Sequence, residues 1–320
     1  MNPVVISEPG GSSASIAAEL GFNCYEFKSS TTGGGVVDVI DSEPGFIDGD
    51  KRPSANGIPL LFPFPNRIRQ GRFRWDGQDY DLPEDKVGYD GNGNAIHGFC
   101  LDRPWRLVNR SEHAVTGEFQ LSIDAPDRRD LWPADFIIRV TYAVDGPTLR
   151  SDIRVINPDS KPLPWGFGTH AYFKLPLGPD SDPKHCLIQA DASTQWPLTA
   201  CLPDGSPGPV NESADLREGG YYDVLKLDDV LSGLPDSPSI ETKIFDEAAG
   251  IQVTQKFDSN FRELVVFTPP WTKAICMEPY TCVTDAINLQ QTGVDAGWRV
   301  LEPGQEFKTT IEISSSLIIC

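Results

Sequence analysis

The sequence predicts an all-β fold, a large antiparallel β-sandwich. Apolar and polar residues alternate with a period of two in several segments, as in strands that bury one face. Helical periodicity is nearly absent. The 28 prolines and 29 glycines are spread along all 320 residues, which is typical of many short elements joined by turns. Because β-sandwiches often exceed the usual domain size, we expect one domain over residues 1–320.

The alternation predicts the individual strands. Seven segments carry it, at 115–123, 136–144, 149–155, 240–245, 251–257, 263–268 and 307–313. Asp145-Gly146-Pro147 predicts a hairpin turn between the second and third segments, and Pro303-Gly304 predicts a turn before the last. The Pro-, Gly- and Ser-rich stretch 202–213 has similar composition on both sides. We therefore interpret it as a surface loop and not as a domain linker.

Charge and cysteine content restrict the class of protein. A net charge of −19 argues against binding to nucleic acid or to anionic membranes, because both repel an acidic surface. The N-terminus lacks the features of a signal peptide, and no stretch approaches the roughly 18 apolar residues of a membrane helix. We expect a cytoplasmic protein, monomeric or homodimeric. Its widely spaced cysteines predict free thiols; they are Cys24, Cys100, Cys186, Cys201, Cys276, Cys282 and Cys320.

Several familiar catalytic and metal-binding motifs are missing. The glycine-rich run 88–98 lacks the Lys-Ser/Thr ending of a phosphate-binding loop. Asp90 begins a pattern like a calcium loop, but Ala95 and Leu101 stand where glycine and glutamate are needed. The histidines lack zinc-ligand spacing, and no G-x-S-x-G motif is present. We therefore expect neither a metal nor a nucleophilic serine.

Three segments combine charged groups with aromatic residues. They cover residues 59–73, 164–176 and 269–289. A carboxylate, a histidine and an arginine presented there are suited to acid–base chemistry on a polyol. The aromatic rings that could stack on a sugar are Trp165, Phe167 and Trp271.

The same segments contain motifs in a particular order. These are PNRI at 65–68, AIHGF at 95–99, DRPW at 102–105, GTHAYFKL at 168–175, LDDVLSGL at 227–234 and CMEPYTCVTDAIN at 276–288. In this order the sequence resembles the aldose 1-epimerase (galactose mutarotase) family from about residue 30 to 315. The resemblance implies a β-sandwich that holds a sugar in a cleft on one sheet. It also implies an isomerase that uses no cofactor and no metal.

The resemblance implies specific roles for individual residues. Glu278 corresponds to the general base and His170 to the general acid. The residues implied to bind the sugar are Asn66, Arg67, His97 and Asp228. We favour Asp228 over Asp229 because the family's aspartate directly follows an apolar residue, here Leu227. The family's Gln and Pro after the Glu-Pro pair are replaced by Tyr280 and Thr284, so the sequence does not identify the aldose.

The chemistry sets an expectation about protonation. Unperturbed pKa values of about 4.3 for Glu and 6.5 for His would leave Glu278 ionised at neutral pH. We expect a neighbouring carboxylate to keep His170 protonated.

Two alternatives remain open at this point. The first is a hexose-6-phosphate mutarotase, with phosphate bound by a basic cluster of Arg67, Arg69, Arg72 and Arg74. The second is a sugar-binding protein of the same fold without catalytic activity.

Overall fold

The structure, a computed structural model, describes residues 1–31 and 35–318. Strands form most of its regular structure. The strands up to residue 120 are β1 (Val4–Ser7), β2 (Ser13–Ala17), β3 (Asn23–Ser30), β4 (Val36–Asp38), β5 (Leu60–Leu61), β6 (Arg67–Ile68), β7 (Arg72–Trp75), β8 (Gln78–Asp81), β9 (Ala95–Ile96), β10 (Arg106–Arg110) and β11 (Ala114–Gln120).

The middle of the chain contributes longer strands and then several short ones. They are β12 (Ile137–Asp145), β13 (Thr148–Ile156), β14 (Leu163–Trp165), β15 (Gly168–Thr169), β16 (Tyr172–Lys174), β17 (Cys186–Ala190), β18 (Thr194–Gln195), β19 (Leu198–Thr199), β20 (Leu202–Pro203), β21 (Gly208–Pro209) and β22 (Gly220–Tyr221). The last strands are β23 (Asp228–Ser232), β24 (Ile240–Asp246), β25 (Ile251–Phe257), β26 (Glu263–Phe267), β27 (Ala274–Tyr280), β28 (Arg299–Leu301) and β29 (Glu306–Leu317).

Helical structure in the described residues is confined to short turns. Two are α-helical, α1 (Leu121–Asp124) and α2 (Ala286–Leu289). The others are 3₁₀ turns at Phe46–Asp48, Pro53–Ala55, Arg69–Gly71, Pro126–Leu131, Pro183–His185, Glu212–Ala214, Tyr222–Val224 and Gln290–Thr292. Within residues 1–31 and 35–318 there is no helix with the length and apolar character required to cross a bilayer.

Two large antiparallel sheets contain the long strands. One has the order β10-β11-β12-β13-β29-β25-β24-β17-β22. The other has the order β21-β18-β23-β26-β27-β15-β5, and β16 also pairs with β27. A separate four-stranded sheet has the order β1-β2-β3-β4. The prediction of an all-β sandwich is confirmed.

One apolar core connects the two large sheets. It contains Ile138 and Ile153 from the nine-stranded sheet, and Leu264, Val266 and Met277 from the other. Full burial of each such side chain contributes about 1.5–3 kcal/mol. Since neighbouring residues of a strand point to opposite faces, this packing directs the intervening residues of β26 and β27 to the outer face of their sheet.

The predicted hairpin is confirmed. Strands β12 and β13 pair from Ile137↔Ile156 to Asp145↔Thr148, so Gly146 and Pro147 form the connection. The prediction for 115–123 was wrong at its end, because β11 stops at Gln120 and α1 follows. The backbone N–H of Gln120 donates to the Asp124 carboxylate at 2.6 Å, which favours a turn there over an extended chain.

Two further predictions concern loops and thiols. The 202–213 stretch contains β20 and β21, which pair with β19 and β18, so this stretch adds strands to the surface and is not purely loop. The six described cysteines are free thiols, and all except Cys201 are buried. Cys320 lies outside the described residues.

Candidate active site

The outer face of the eight-stranded sheet carries two carboxylates. Glu278 in β27 pairs with Val265 in β26, and Val265 pairs with Val230 in β23. Asp228 lies two residues before Val230 and so points to the same face as Glu278. Asp229 alternates to the other side, where it accepts a hydrogen bond from the Gln195 side chain at 2.5 Å.

His170 lies opposite Glu278, at the corner between two short strands. Both flanking strands pair with β27, through Gly168↔Tyr280 on one side and Tyr172↔Cys276 on the other. A side chain at position 168 could not be accommodated, since a Cβ atom there would lie 2.2 Å from the Tyr280 ring. The result is a separation of 3.3 Å between His170 Nε2 and Glu278 Oε1.

The sugar-binding residues predicted from PNRI and IHGF come from two neighbouring segments. Strands β6 and β9 pair through Arg67↔Ile96. Directly beside this pair, Asn66 and His97 both have left-handed backbone conformations, with φ of 54° and 68°. Such conformations cost energy in residues other than glycine and are concentrated at functional sites. They bring the His97 ring to 5.6 Å from the His170 ring, edge to face.

Arg67 is held in place by hydrogen bonds. Its Nε donates to Asp90 Oδ2 at 2.6 Å, and its Nη1 donates to Asn66 Oδ1 at 2.8 Å. Charge-assisted hydrogen bonds of this length are among the stronger ones in proteins. The remaining guanidinium nitrogen is free of these bonds and is available to a ligand.

A cavity of about 160 Å³ lies between these side chains. Six predicted residues line it together, namely Asn66, Arg67, His97, His170, Asp228 and Glu278. Asp229 does not line it but faces an adjoining cavity of about 670 Å³ that also includes Asp228.

Of the three aromatic residues expected to stack on a sugar, only Trp271 lines the cavity, with 53% of its surface exposed. The prediction was wrong for Trp165 and Phe167. Both are in the apolar core, where Trp165 packs against Phe307.

Three further residues line the cavity; the sequence-based prediction gave no role to Tyr172 and Arg52, and named Tyr280 only as a departure from the family's pattern. The Tyr280 hydroxyl donates to Glu278 Oε2 at 2.5 Å, and the Tyr172 ring stacks on the His170 ring at 4.8 Å. The period of two could have revealed Tyr280, since residues 278 and 280 of one strand share a face. Arg52 lines the cavity from the position directly before the 3₁₀ turn Pro53–Ala55, and no motif marks it. Thr284, in contrast, is fully buried outside the cavity.

Burial controls the protonation of the central pair. It lowers the pKa of His170 to about 3 and raises the pKa of Glu278 well above its ordinary value, although the Tyr280 hydrogen bond acts in the opposite direction on Glu278. The expectation of an ionised Glu278 that keeps His170 protonated was wrong, because burial penalises both charges. Burial thus favours the neutral form of each group, in which the pair holds one proton in total.

One group of potential metal ligands overlaps this pair. Ligand atoms of His170, Cys276 and Glu278 lie within 4.8 Å of one another, and all three residues are buried. A divalent ion bound there would occupy the imidazole and carboxylate atoms that proton transfer requires.

The basic cluster considered for phosphate binding is dispersed. Arg69 lies 3.5 Å from Asp285, Arg72 lies 3.7 Å from Asp81, and Arg74 lies 3.6 Å from Asp79. Arg67 alone of the four lines the cavity. These four arginines therefore do not form one anion site.

Comparison with curated relatives finds similarity over about half of the chain. The chain is 31% identical to galactose mutarotase of Homo sapiens over 157 residues, which is 48% of this chain and 43% of that protein. It is 29% identical to the protein YphB of Escherichia coli K12 over 168 residues, 51% of each chain. The matched segments thus span about half the length of these relatives.

Comparison with solved structures and family models extends over nearly the whole chain. A galactose mutarotase-like protein from Clostridium acetobutylicum superposes with a TM-score of 0.84 at 22% identity, covering 96% of this chain and 93% of that one. The GalM/aldose epimerase homologue from C. elegans gives 0.80 at 19% identity, covering 99% of both. The family model for aldose 1-epimerase matches residues 23–314. The chain therefore belongs to the aldose 1-epimerase family.

Proposed function

We propose that this protein interconverts the α and β anomers of an aldose by opening and closing the sugar ring. The observation that carries the proposal is the His170–Glu278 pair, with Nε2 and Oε1 3.3 Å apart at the wall of a cavity of about 160 Å³. A carboxylate and an imidazole within one sugar ring's width of each other are the groups that this reaction needs.

The proposed reaction moves two protons. Glu278 takes the proton of the C1 hydroxyl, the C1–O5 bond breaks as C1 becomes an aldehyde, and His170 gives its proton to O5. Rotation about the C1–C2 bond turns the other aldehyde face towards O5. The O5 hydroxyl then returns its proton to His170 as O5 bonds to C1, and Glu278 returns its proton to O1.

The burial of the pair favours ring opening. In the reactive form Glu278 is ionised and His170 protonated, which is the less stable arrangement of the one shared proton. After ring opening both groups are neutral, as their buried surroundings prefer. A protonated imidazole of low pKa is a strong acid and a carboxylate of raised pKa is a strong base, so both transfers are driven forward.

Polarimetry on freshly dissolved α-D-glucose and α-D-galactose tests the proposal. We expect the optical rotation to reach equilibrium faster with the protein than with buffer alone, in proportion to enzyme concentration. A decay rate that the protein leaves unchanged for every aldose in a panel of neutral and 6-phosphorylated sugars would overturn the proposal in favour of a non-catalytic sugar-binding protein.

The pH dependence of kcat/KM is expected to show a broad plateau. Because the pKa of His170 is lowered to about 3, the His170–Glu278 pair gains a second proton only at strongly acidic pH. Because the pKa of Glu278 is raised, the pair loses its one proton only at a pH well above 4.5. Measurement from pH 4 to 9, with circular dichroism to confirm folding, checks this. A narrow optimum between about 4.3 and 6.5, the unperturbed values, would contradict it.

Replacement of Asp228 by Asn should weaken sugar binding. We infer that the Asp228 carboxylate accepts hydrogen bonds from ring hydroxyls, and such bonds to a charged group are worth about 1.5–3 kcal/mol, or roughly 10- to 100-fold in kcat/KM. The matched control is Asp229→Asn, whose carboxylate already accepts from Gln195. A larger loss in Asp229→Asn than in Asp228→Asn would reverse the assignment.

A further inference from the structure

We propose that the preferred substrate is an aldose with an anionic group on C6, a carboxylate or a phosphate, and that Arg52 binds that group. This inference rests on the proposed function and concerns the same cavity. It is carried by an arginine at the cavity that has no ion-pair or hydrogen-bond partner for its guanidinium among the described residues, on the side where C6 of the sugar would lie.

Arg52 differs from the other arginines of this acidic chain. Most of them lie within 4.0 Å of a carboxylate, and the two further exceptions, Arg110 and Arg299, donate hydrogen bonds to backbone carbonyls. Within residues 1–31 and 35–318, Arg52 alone among the arginines has neither a carboxylate within 4.0 Å nor a hydrogen bond from its guanidinium. Arg52 is exposed, so its guanidinium is accessible to a ligand at the cavity.

The backbone that presents Arg52 is fixed. The Asn56 side chain donates to the Arg52 carbonyl at 3.0 Å, and the Asn23 side chain donates to the Asn56 carbonyl at 2.8 Å. The Tyr172 hydroxyl donates to the Ser54 carbonyl at 2.9 Å, which ties the same turn to the strand after His170. Arg52 thus projects from an ordered turn, so less conformational entropy is lost when it binds a ligand.

The carboxylates of an adjoining cavity pair with other arginines and not with Arg52. Arg52 also lines an adjoining cavity of about 500 Å³, which contains the two carboxylates of Asp90 and Asp102. Each of these already has its own arginine, since Asp90 lies 2.6 Å from Arg67 and Asp102 lies 2.6 Å from Arg128. Arg52 therefore has no ion-pair partner among the carboxylates of this second cavity.

The position of Arg52 matches one part of the sugar. In a pyranose, C6 is attached to C5, and C5 is bonded to the ring oxygen that His170 protonates. A C6 substituent therefore lies on the His170 side of the cavity. The turn that follows Arg52 is bonded to the strand after His170, because the Tyr172 hydroxyl donates to the Ser54 carbonyl. Since Arg52 also lines the cavity, it lies on the His170 side, where we place C6.

The test measures kcat/KM by magnetisation exchange between the anomeric protons, for glucose, galactose, glucuronate, galacturonate and glucose 6-phosphate. For the wild-type protein we expect at least a 10-fold advantage of one anionic class over its neutral counterpart, decreasing with added salt. A preference for the uronates identifies a carboxylate substrate, and a preference for glucose 6-phosphate identifies a phosphate.

Variants separate the role of Arg52 from general effects. Arg52→Gln should lose about 10-fold on the preferred anionic sugar and less than 2-fold on neutral sugars, and Arg52→Lys should recover part of the loss. Arg110→Gln is the matched control, because Arg110 is exposed and lies in β10 of the other large sheet.

Two results would overturn the inference. One is turnover of neutral sugars with no advantage for any anionic sugar. The other is an equal loss on neutral and anionic sugars in Arg52→Gln, which would indicate that Arg52 merely balances the charge of Asp228. If no aldose in the panel is turned over, the proposed function itself fails, and this inference with it.

Discussion

Glu278→Gln is expected to lower kcat/KM by about 100-fold or more, with the fold unchanged. Glutamine has the same shape and can still accept the Tyr280 hydrogen bond, but it cannot take a proton from the C1 hydroxyl. Loss of a general base typically costs 10²- to 10⁴-fold. Because the sugar contacts remain, the loss should appear in kcat and not in KM. Polarimetry over a range of substrate concentrations measures both.

A second buried carboxylate provides the control for this variant. Glu263 lies on the same face of the same sheet, burial raises its pKa to about 7, and it accepts a hydrogen bond from Trp196 at 3.0 Å. It does not line the cavity with Glu278. Glu263→Gln should therefore keep nearly full activity. Comparable activity of Glu278→Gln and Glu263→Gln would mean that another group is the base.

His170→Gln is expected to lower kcat by about 100- to 1000-fold, since glutamine cannot deliver a proton to the ring oxygen. The substitution also leaves Glu278 without the partner that shares its proton. The loss of kcat should be smaller for a sugar whose ring oxygen leaves C1 more readily, because its departure depends less on protonation. We further expect the double variant with Glu278→Gln to be little worse than either single variant, because an acid and a base that act in one step lose activity non-additively.

The control for this variant is His113→Gln. His113 is exposed, and its Nδ1 lies 2.6 Å from the Ser7 carbonyl, in the part of the fold where β1 meets β11. This variant should retain wild-type kcat. A rise in KM alone in His170→Gln, with kcat preserved, would instead assign His170 to sugar binding.

The fold could be predicted well because its main signal is local. Alternation in β12 and β13 directly reflects which residues enter the core, and a turn of Gly146 and Pro147 fixes the register between them. The end of β11 could not be predicted in this way. There a side chain, Asp124, competes with the strand for the backbone, and alternation of apolar residues does not record such a contact.

The candidate site could be predicted as far as motifs extend. Asn66, His97 and Glu278 come from segments that are far apart in the sequence. Before the structure placed them around one cavity, only their resemblance to a known family connected them. Alternation alone could have added Tyr280. It could not add Arg52, because no alternation marks that residue and its lack of a partner among the described residues is visible only in three dimensions.

Protonation was the part least accessible from sequence. The pKa values of His170 and Glu278 depend on how completely water is excluded around them, which requires the packing of β15, β16 and β27. The aromatic rings show the same limit. Trp165 and Trp271 both lie in segments with charged residues, yet one packs in the core and the other borders the cavity.

The rate of exchange between the α and β anomers at equilibrium tests the central claim most directly. Magnetisation transfer between their C1 protons measures this rate without separating the anomers. The account predicts exchange that increases in proportion to wild-type protein and falls to nearly the buffer rate with Glu278→Gln. Equal exchange rates with the wild-type protein, the variant and buffer, on every aldose and aldose phosphate tried, would contradict it.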